Sequence, residues 1–181
     1  MTDLPDPVAR ELESHDAFEP ADDGYDLETT VFDAAVTADE AEGERDGAFR
    51  VVVAVPTLDA AVAGETVAPV VEDGWFETLE RRLADVFSVA HTSTHEQPRL
   101  ERDDDEVRVI LEYVAWDAGE GVDDAKTLIE YVEGTFAQGI VPGYEYRGPA
   151  KALVENAQRH GRQAADDERS GEPGGSGGMP M

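Results

Sequence analysis

The sequence predicts an α+β fold, with helices packed on one face of an antiparallel sheet of about four strands, in the order α-β-β-α-β-β-α-α. Apolar and polar residues alternate over residues 25–38 and 107–116, as in strands that bury one face. Apolar residues recur with helical spacing over 75–87 and 125–136, as in helices that cover a sheet. Because the strands come in adjacent pairs, antiparallel hairpins are favoured over a parallel sheet.

The first part of the chain is predicted to form a short helix and two strands. Asp6 is a favoured N-cap, and Pro7 is a favoured first helical residue. Residues 25–38 are predicted to be one strand, in which a change of phase after Val31 indicates a β-bulge. The nearly continuous apolar run over 49–55 is typical of a strand in the middle of a sheet.

The middle of the chain is predicted to contain a helix, an edge strand and a hairpin. The apolar stripe of the helix consists of Trp75, Phe76, Leu79, Leu83, Val86 and Phe87. Residues 89–96 are rich in Thr, Ser and Val and are predicted to form an edge strand. The charged run over 101–106 is predicted to be a hairpin loop, followed by a strand over 107–116 with one wetter face.

A third amphipathic helix, an aromatic turn and a last short helix complete the predicted order. Asp123 or Asp124 is expected to cap the third helix, and Gly139 is expected to end it. The apolar face of this helix consists of Ala125, Leu128, Ile129, Val132 and Phe136. The turn occupies residues 139–149, and the last helix occupies residues 150–159.

A length of 181 residues suits a single domain. We assign residues 1–160 to one α+β domain and residues 161–181, an acidic segment rich in Gly, Ser and Pro, to a disordered tail. The apolar pattern of residues 78–87 recurs over 127–136, which would fit two β-β-α halves. The alternative is that amphipathic helices share their apolar spacing without a common origin.

The charge of the chain excludes two classes of partner. It has 42 acidic and 14 basic residues, a formal net charge of −28, which repels nucleic acid and anionic membranes. Only Lys126 and Lys151 among the basic residues are lysines, and an acidic, lysine-poor surface indicates adaptation to molar salt. At about 1 M salt the Debye length is about 3 Å, so the self-repulsion is largely screened. We therefore expect the stability of the fold to decrease when salt is removed.

We expect a cytoplasmic protein. The N-terminal residues lack the basic and apolar stretches of a signal peptide, and no window approaches the ~20 apolar residues of a membrane span. The chain has no cysteine, which excludes disulfides, thiolate zinc sites and a cysteine nucleophile.

The sequence predicts no catalytic residue, metal site or cofactor. His91 and His95, followed by Glu96, have a spacing that would allow metal binding on a helix. On the strand predicted there, their Cα atoms would lie ~13 Å apart, which is too far to share an ion. The Gly-x-Ser-x-Gly match over 174–178 lies in the tail, without the strand and helix of a nucleophile elbow.

Aromatic residues that the charge does not explain are the candidate binding positions. The segment 139–149 presents two tyrosines and an arginine on Pro and Gly turns, as a binding rim would. The alternative is that these aromatics fill the end of the core. The candidate binding residues are Trp75, Trp116, Tyr144, Tyr146 and Arg147.

Three segments, residues 55–60, 70–82 and 131–144, together resemble a family of small acidic haloarchaeal proteins of unknown function. The resemblance covers most of residues 5–150. It implies growth in high salt and no assigned catalytic residue. The order of the elements is also similar to that of bacterial secretion chaperones, which are helix-flanked sheets that bind proteins.

Two functions are consistent with these observations. The first is a non-enzymatic protein-interaction or chaperone-like domain that binds a protein partner, or itself as a homodimer. The alternative is a small-ligand-binding domain or enzyme with a pocket near Tyr144, Tyr146 and Arg147, in which Glu133 or Glu145 would be the acid-base group.

Overall fold

A six-stranded antiparallel sheet lies at the centre of this computed structural model, which describes residues 3–170 and the side chains of residues 3–159. The strands are β1 (Phe18–Ala21), β2 (Gly24–Leu27), β3 (Asp33–Asp39), β4 (Gly47–Pro56), β5 (Val62–Ala63), β6 (Arg99–Arg102), β7 (Glu106–Ala115) and β8 (Glu145–Tyr146). The main sheet has the order β1-β2-β3-β4-β7-β6, and β5 pairs with β8 in a separate ribbon.

Five helices precede, separate and follow groups of these strands along the described part of the chain. They are α1 (Asp6–Ser14), α2 (Leu58–Ala61), α3 (Pro69–Leu83), α4 (Ala118–Gln138) and α5 (Gly148–Ser170), with a 3₁₀ turn at Val86–Val89. Within residues 3–170, no helix is both long and apolar enough to cross a membrane.

The longest pairing in the sheet joins β4 and β7. It runs from Gly47 opposite Ala115 to Pro56 opposite Glu106. Val51 and Val53 are fully buried, whereas the alternate residues Arg50, Val52 and Ala54 face the other side of the sheet and are half-buried or exposed. The prediction that residues 49–55 form a central strand is therefore confirmed, because β4 lies between β3 and β7.

Helix α4 packs closely on one face of this sheet. A Cβ atom on Gly121 would lie 2.4 Å from the Phe49 ring, so the missing side chain is what allows the close approach. Phe49 stacks on Tyr113 at 5.1 Å between ring centroids, and the Tyr113 hydroxyl donates to the Gly121 carbonyl over 2.6 Å. Helices α1 and α3 pack against α4, so these three helices cover one face of the sheet.

The α+β class and the antiparallel sheet are confirmed, but the number and order of strands differ from the prediction. Residues 25–38 form two strands joined by a turn, and the predicted bulge is wrong. The Glu133 carboxylate of α4 accepts hydrogen bonds from the Thr30 hydroxyl and the Val31 amide. This contact from a distant helix holds the turn. Because the turn separates β2 from β3, the alternation of apolar residues changes phase between the two strands.

The predicted edge strand over 89–96 is wrong. This stretch makes one isolated bridge to the sheet, His95 opposite Tyr113. The edge strand is β6 instead, which pairs with β7 from Arg99 opposite Ile110 to Arg102 opposite Val107. The hairpin loop is therefore shorter than the predicted 101–106. Charged residues are common on edge strands because they discourage pairing with another chain.

Two predicted helix caps are wrong. Helix α1 has Pro5 as its N-cap and Asp6 as its first residue. Helix α4 begins at Ala118, and the Asp117 side chain accepts a hydrogen bond from the Glu120 amide over 3.0 Å. The predicted apolar face of α4 is buried and Gly139 is its C-cap, so both of these predictions are confirmed.

Helix α5 is longer than the predicted helix over 150–159. Of the predicted tail over 161–181, residues 161–170 belong to α5 and residues 171–181 lie outside the described residues. The order β3-β4-β7-β6 places two hairpins symmetrically about the β4–β7 pair, and each is followed along the chain by a long helix. Helix α4 follows its hairpin directly, whereas α2 and β5 lie between β4 and α3, so the two β-β-α halves stay a prediction.

Candidate functional site

The predicted binding residues occupy more than one region of the fold. Trp116 follows the end of β7 and is 60% exposed, with the Arg45 guanidinium 5.1 Å from its ring centroid. Trp75 lies on α3 and is buried edge-on against Phe136. Since Ala115 pairs with Gly47 at the start of β4, Trp116 lies at the end of the sheet away from α2 and the β5–β8 ribbon.

The Tyr146 hydroxyl and the Arg147 Nε form hydrogen bonds within the chain. The Tyr146 hydroxyl both accepts from the Val141 amide and donates to the Val141 carbonyl, each over 2.8 Å. Burial raises the pKa of Tyr146. The Arg147 Nε donates to the Ala60 carbonyl over 2.8 Å. The Arg147 contact joins the residue after β8 to α2. The Tyr146 hydroxyl and the Arg147 Nε therefore already have hydrogen-bond partners within the fold.

Tyr144 lies beside a shallow hollow of about 350 Å³, together with Lys151 and Glu155. Trp75 lines a neighbouring hollow with Gly139 and Val141. The structure therefore brings Tyr144, Tyr146 and Arg147 together, places Trp75 next to them and leaves Trp116 apart.

The two histidines with metal-like spacing have separate partners. His95 stacks on Phe87 with ring centroids 4.0 Å apart. His91 contacts Asp124 through Nδ1, 2.9 Å from Oδ1, and this hydrogen bond raises the pKa of His91. Among the residues whose side chains are described, no group of three histidine or acidic side chains could hold a metal ion.

Asp124 is a buried acid that the sequence reasoning treated as a helix cap. Its side chain is about 1% exposed on the inner face of α4. Besides His91 Nδ1, it accepts from the His91 amide over 2.7 Å and the Thr92 amide over 3.0 Å. The position of an acid within an otherwise apolar helix face could have indicated this role.

The second face of the main sheet is the largest feature that the sequence reasoning missed. We define the open face as the outward residues of β2, β3, β4, β7 and β6. They are Asp26, Asp33, Ala35, Thr37, Asp39, Ala48, Arg50, Val52, Ala54, Arg99, Glu101, Arg108, Ile110, Glu112 and Val114. The described helices pack on the opposite face or beyond the end of β4.

Small and branched apolar side chains occupy the middle of the open face. Strand register places Ala35 opposite Val52 and Val52 opposite Ile110. Ile110 is 3% exposed although no described helix covers it, and Glu96, Gln97, Arg99 and Glu112 lie around it. The centre of this face is therefore apolar.

The two sides of the apolar centre differ in charge, because β2 and β3 present aspartates alone, whereas β6 and β7 present two arginines paired with two glutamates. Asp26, Asp33 and Asp39 lie on β2 and β3. Arg50, Arg99 and Arg108 lie on β4, β6 and β7, and they pair with Glu112 or Glu101 at 3.5–3.8 Å.

The acidic side of the open face carries negative charge that its surroundings do not balance. None of the ion pairs among the described residues includes Asp26, Asp33 or Asp39. Burial, followed by the charges of Asp33 and Asp22, raises the pKa of Asp26. An arginine from another molecule would therefore be attracted to this side.

The edges of the sheet are poorly suited to adding another strand. Strand β1 is 4 residues long and contains Pro20, and β6 is 4 residues long and follows Pro98. Short strands and prolines discourage edge pairing. A partner of this sheet would therefore contact its open face.

The open face contains two shallow hollows. One of about 350 Å³ lies between Ala48, Arg50 and Val114, next to Thr94. The other, about 300 Å³, lies between Arg99, Ile110 and Glu112. Asp39, His95 and Glu112 also line the first hollow, but both hollows are open to solvent, whereas small-molecule sites bury most of the ligand.

Comparison with known proteins gives one match. The model of a family of unknown function, DUF5813, matches residues 13–156, a stretch that includes all eight strands. This agrees with the expectation that the chain comes from an uncharacterised family. No curated protein and no solved structure matches the chain.

Proposed function

We propose, for a chain that belongs to the family of unknown function DUF5813, a non-enzymatic role as a protein-interaction domain. The open face of the sheet is its binding surface. The observation that carries this proposal is an apolar centre with aspartates on one side and arginine–glutamate pairs on the other, on a sheet whose other face is already covered by helices.

Exposure of the apolar centre of this face to water is unfavourable in free energy. Apolar area removed from water contributes about 25 cal/mol per Å², and a contiguous apolar patch marks an interaction surface. Antiparallel sheets can expose one face, but the exposed side of such a strand is normally polar. The outward positions of β4 are instead mainly Ala48, Val52 and Ala54, which favours contact with another protein.

The ligand-binding alternative has weaker support. It places a small molecule near Tyr144, Tyr146 and Arg147. Two of these residues already bind main-chain atoms of the chain through their polar groups. The hollow beside Tyr144 is shallow and open, whereas small-molecule sites are concave and bury most of the ligand.

The proposed setting is the cytoplasm of a cell with molar salt, as in the haloarchaeal proteins that the sequence resembles. The net charge of −28 opposes association in dilute buffer. Molar salt screens this repulsion and strengthens apolar contact. The open face would therefore bind its partner best at high salt.

A position-specific cross-link tests the proposal. A photoreactive amino acid at Val52 would lie in the middle of the open face, and the same amino acid at Val70, an apolar α3 residue that is 78% exposed, is the matched control. Both chains are irradiated in molar KCl with an extract of the source cells. We expect a protein adduct from position 52 that is absent from position 70.

Competition makes the result specific to the face. Excess unmodified chain should remove the position 52 adduct, and excess Val52→Asp chain should not. The proposal fails if position 52 gives no protein adduct, or if both positions give the same adducts.

A further inference from the structure

We propose that the protein partner of the open face is a second copy of this chain, packed face to face about a twofold axis parallel to β4. This inference rests on the proposed function, since it uses the same surface. It follows from the order of the side chains in each row of the sheet. A row is a set of residues that pair with one another across neighbouring strands.

The row through Val52 is complementary to itself. Strand register gives the order Asp26, Ala35, Val52, Ile110 and Arg99 from β2 to β6. A twofold axis parallel to β4 and above Val52 reverses this order in the second copy. Val52 then meets Val52, Ala35 meets Ile110, and Asp26 faces Arg99 of the second copy.

The next row gives the same result independently. Its order is Asp33, Ala54 and Arg108 across β3, β4 and β7. The same axis brings Ala54 against Ala54 and Asp33 against Arg108 of the second copy. Each row therefore places an unpaired aspartate opposite an arginine and apolar side chains against one another.

A twofold axis perpendicular to the strands, in the plane between the two sheets, would not place aspartates opposite arginines. It would keep each strand opposite its own copy, so that the aspartate side would face aspartates and Asp26 and Asp33 would meet no arginine of the second copy. Juxtaposed like charges are costly when an interface excludes water. The distribution of charge therefore selects the axis parallel to β4, which also gives the aligned packing common between sheets about 10 Å apart.

Two rows are less favourable, and in one of them Asp39 would face Val114 of the second copy. Arg50 lies on β4 opposite Thr37 and Glu112, so it would meet Arg50 of the second copy near the axis. Each Arg50 keeps its own Glu112 partner at 3.8 Å, and the two carboxylates offset the two positive charges. Thr37 would face Glu112 of the second copy, which it can satisfy with its hydroxyl.

The area available is near the lower limit for a specific dimer. Five strands about 4.8 Å apart give a width of about 24 Å, and the 7 residues of β3 give a height of about 23 Å. Because β2 and β6 have only 4 residues each, the contact would cover less than this rectangle of about 550 Å² on each copy, so the total lies near the roughly 1,000 Å² that a specific interface needs.

The oligomeric state in molar KCl tests the inference. By analytical ultracentrifugation, we expect the unmodified chain to have twice the mass of one chain. Val52→Asp should have the mass of one chain, because two carboxylates would meet on the axis. Val70→Asp adds the same charge on α3 and should stay dimeric. Circular dichroism should show that both variants remain folded.

A charge exchange tests the orientation of the axis. Asp33→Arg and Arg108→Asp should each raise the dimer Kd by at least about tenfold, because each opposes two like charges. The double variant restores opposite charges across the proposed axis and should return the Kd to within about threefold of the original. A double variant that is weaker than both single variants would overturn the inference.

The possible failures are distinguishable. A chain that stays monomeric in molar KCl, but forms an adduct with a different protein from position 52, overturns the second-copy inference and leaves the proposed function in place. A dimer that persists in Val52→Asp uses another surface and also overturns the inference. The absence of any adduct from position 52 overturns the proposed function itself.

Discussion

At the scale of single residues, Asp124 concentrates several interactions in one buried carboxylate. Its two oxygens accept from the His91 amide, the His91 ring and the Thr92 amide. Hydrogen bonds to a charged group are worth more than neutral ones, and an unsatisfied buried donor is costly. Asp124 therefore holds the chain between the 3₁₀ turn and β6 against α4.

Replacing this carboxylate should destabilise the fold. Asp124→Asn keeps the shape but places an amide group against main-chain N–H donors. We expect the free energy of unfolding to decrease by about 2 kcal/mol. Chemical denaturation in molar KCl measures the change.

Asp123→Asn is the matched control, because it removes the same charge from the exposed neighbouring side chain. An equal loss in both variants would show that charge, rather than the hydrogen bonds of Asp124, sets the effect.

His91 should give the stability a dependence on pH. The hydrogen bond to Asp124, followed by its negative charge, raises the pKa of His91 in the folded protein. Protonated His91 therefore stabilises the fold below about pH 6.5, its ordinary pKa, and this contribution is lost as the pH rises through the raised value. The unfolding free energy of the wild type minus that of His91→Gln should fall over this range.

An NMR titration of the His91 ring gives an independent measurement. The pKa should be above the ordinary histidine value in the wild type, and it should fall in Asp124→Asn. A His91 pKa that does not change in Asp124→Asn would contradict this explanation.

At the scale of elements, the contact between α4 and the sheet depends on one glycine. A Cβ on Gly121 would lie 2.4 Å from Phe49 and 2.8 Å from the Ala115 Cβ. Gly121→Ala should therefore push the helix from the sheet and lower the unfolding free energy by about 1–3 kcal/mol, despite the better helix propensity of alanine.

The same helix supplies the control. A Cβ on Gly134 would meet nothing within 4 Å, so Gly134→Ala should raise the unfolding free energy by up to about 1 kcal/mol. Thermal and urea unfolding of the two variants would show opposite signs. A destabilised Gly134→Ala would mean that the difference does not come from packing.

The elements with strong periodicity were predictable from the sequence. The apolar stripe of α4 and the continuous apolar run of β4 each reflect one local environment along the element. The β2–β3 turn was not predictable, because Thr30 and Val31 are held by Glu133, a residue far along the chain. Edge strand β6 was also missed, because a charged edge strand resembles a loop.

The candidate site was predictable only in part. The sequence identifies Tyr144, Tyr146 and Arg147 as a cluster, since they are neighbours along the chain. The open face depends on the register of five strands, which places Asp26, Val52 and Arg99 in one row. Local patterns give the alternation in each strand, but they do not give the pairing between strands.

At the scale of the whole molecule, the net charge of −28 should make stability depend on salt. Repulsion among like charges opposes the compact state, and molar salt reduces the Debye length to about 3 Å. The six ion pairs described are on the surface or involve a histidine, and exposed pairs contribute little.

We expect the melting temperature to decrease when molar KCl is replaced by dilute buffer. Melting curves by circular dichroism over a series of KCl concentrations measure this effect. Val52→Asp provides the corresponding series for a chain that should be monomeric, which separates folding from association. Equal melting temperatures across the series would refute the adaptation to salt.

The two tryptophans have contrasting environments, and each can report optically on a different part of the fold. Trp75 is enclosed beside Phe136, so its emission should lie at shorter wavelength and be protected from a dissolved quencher. Trp116 is open to solvent beneath Arg45, so neutral acrylamide should quench it readily. Replacing either one with phenylalanine leaves a single fluorophore, at the helix layer or at the far end of β7.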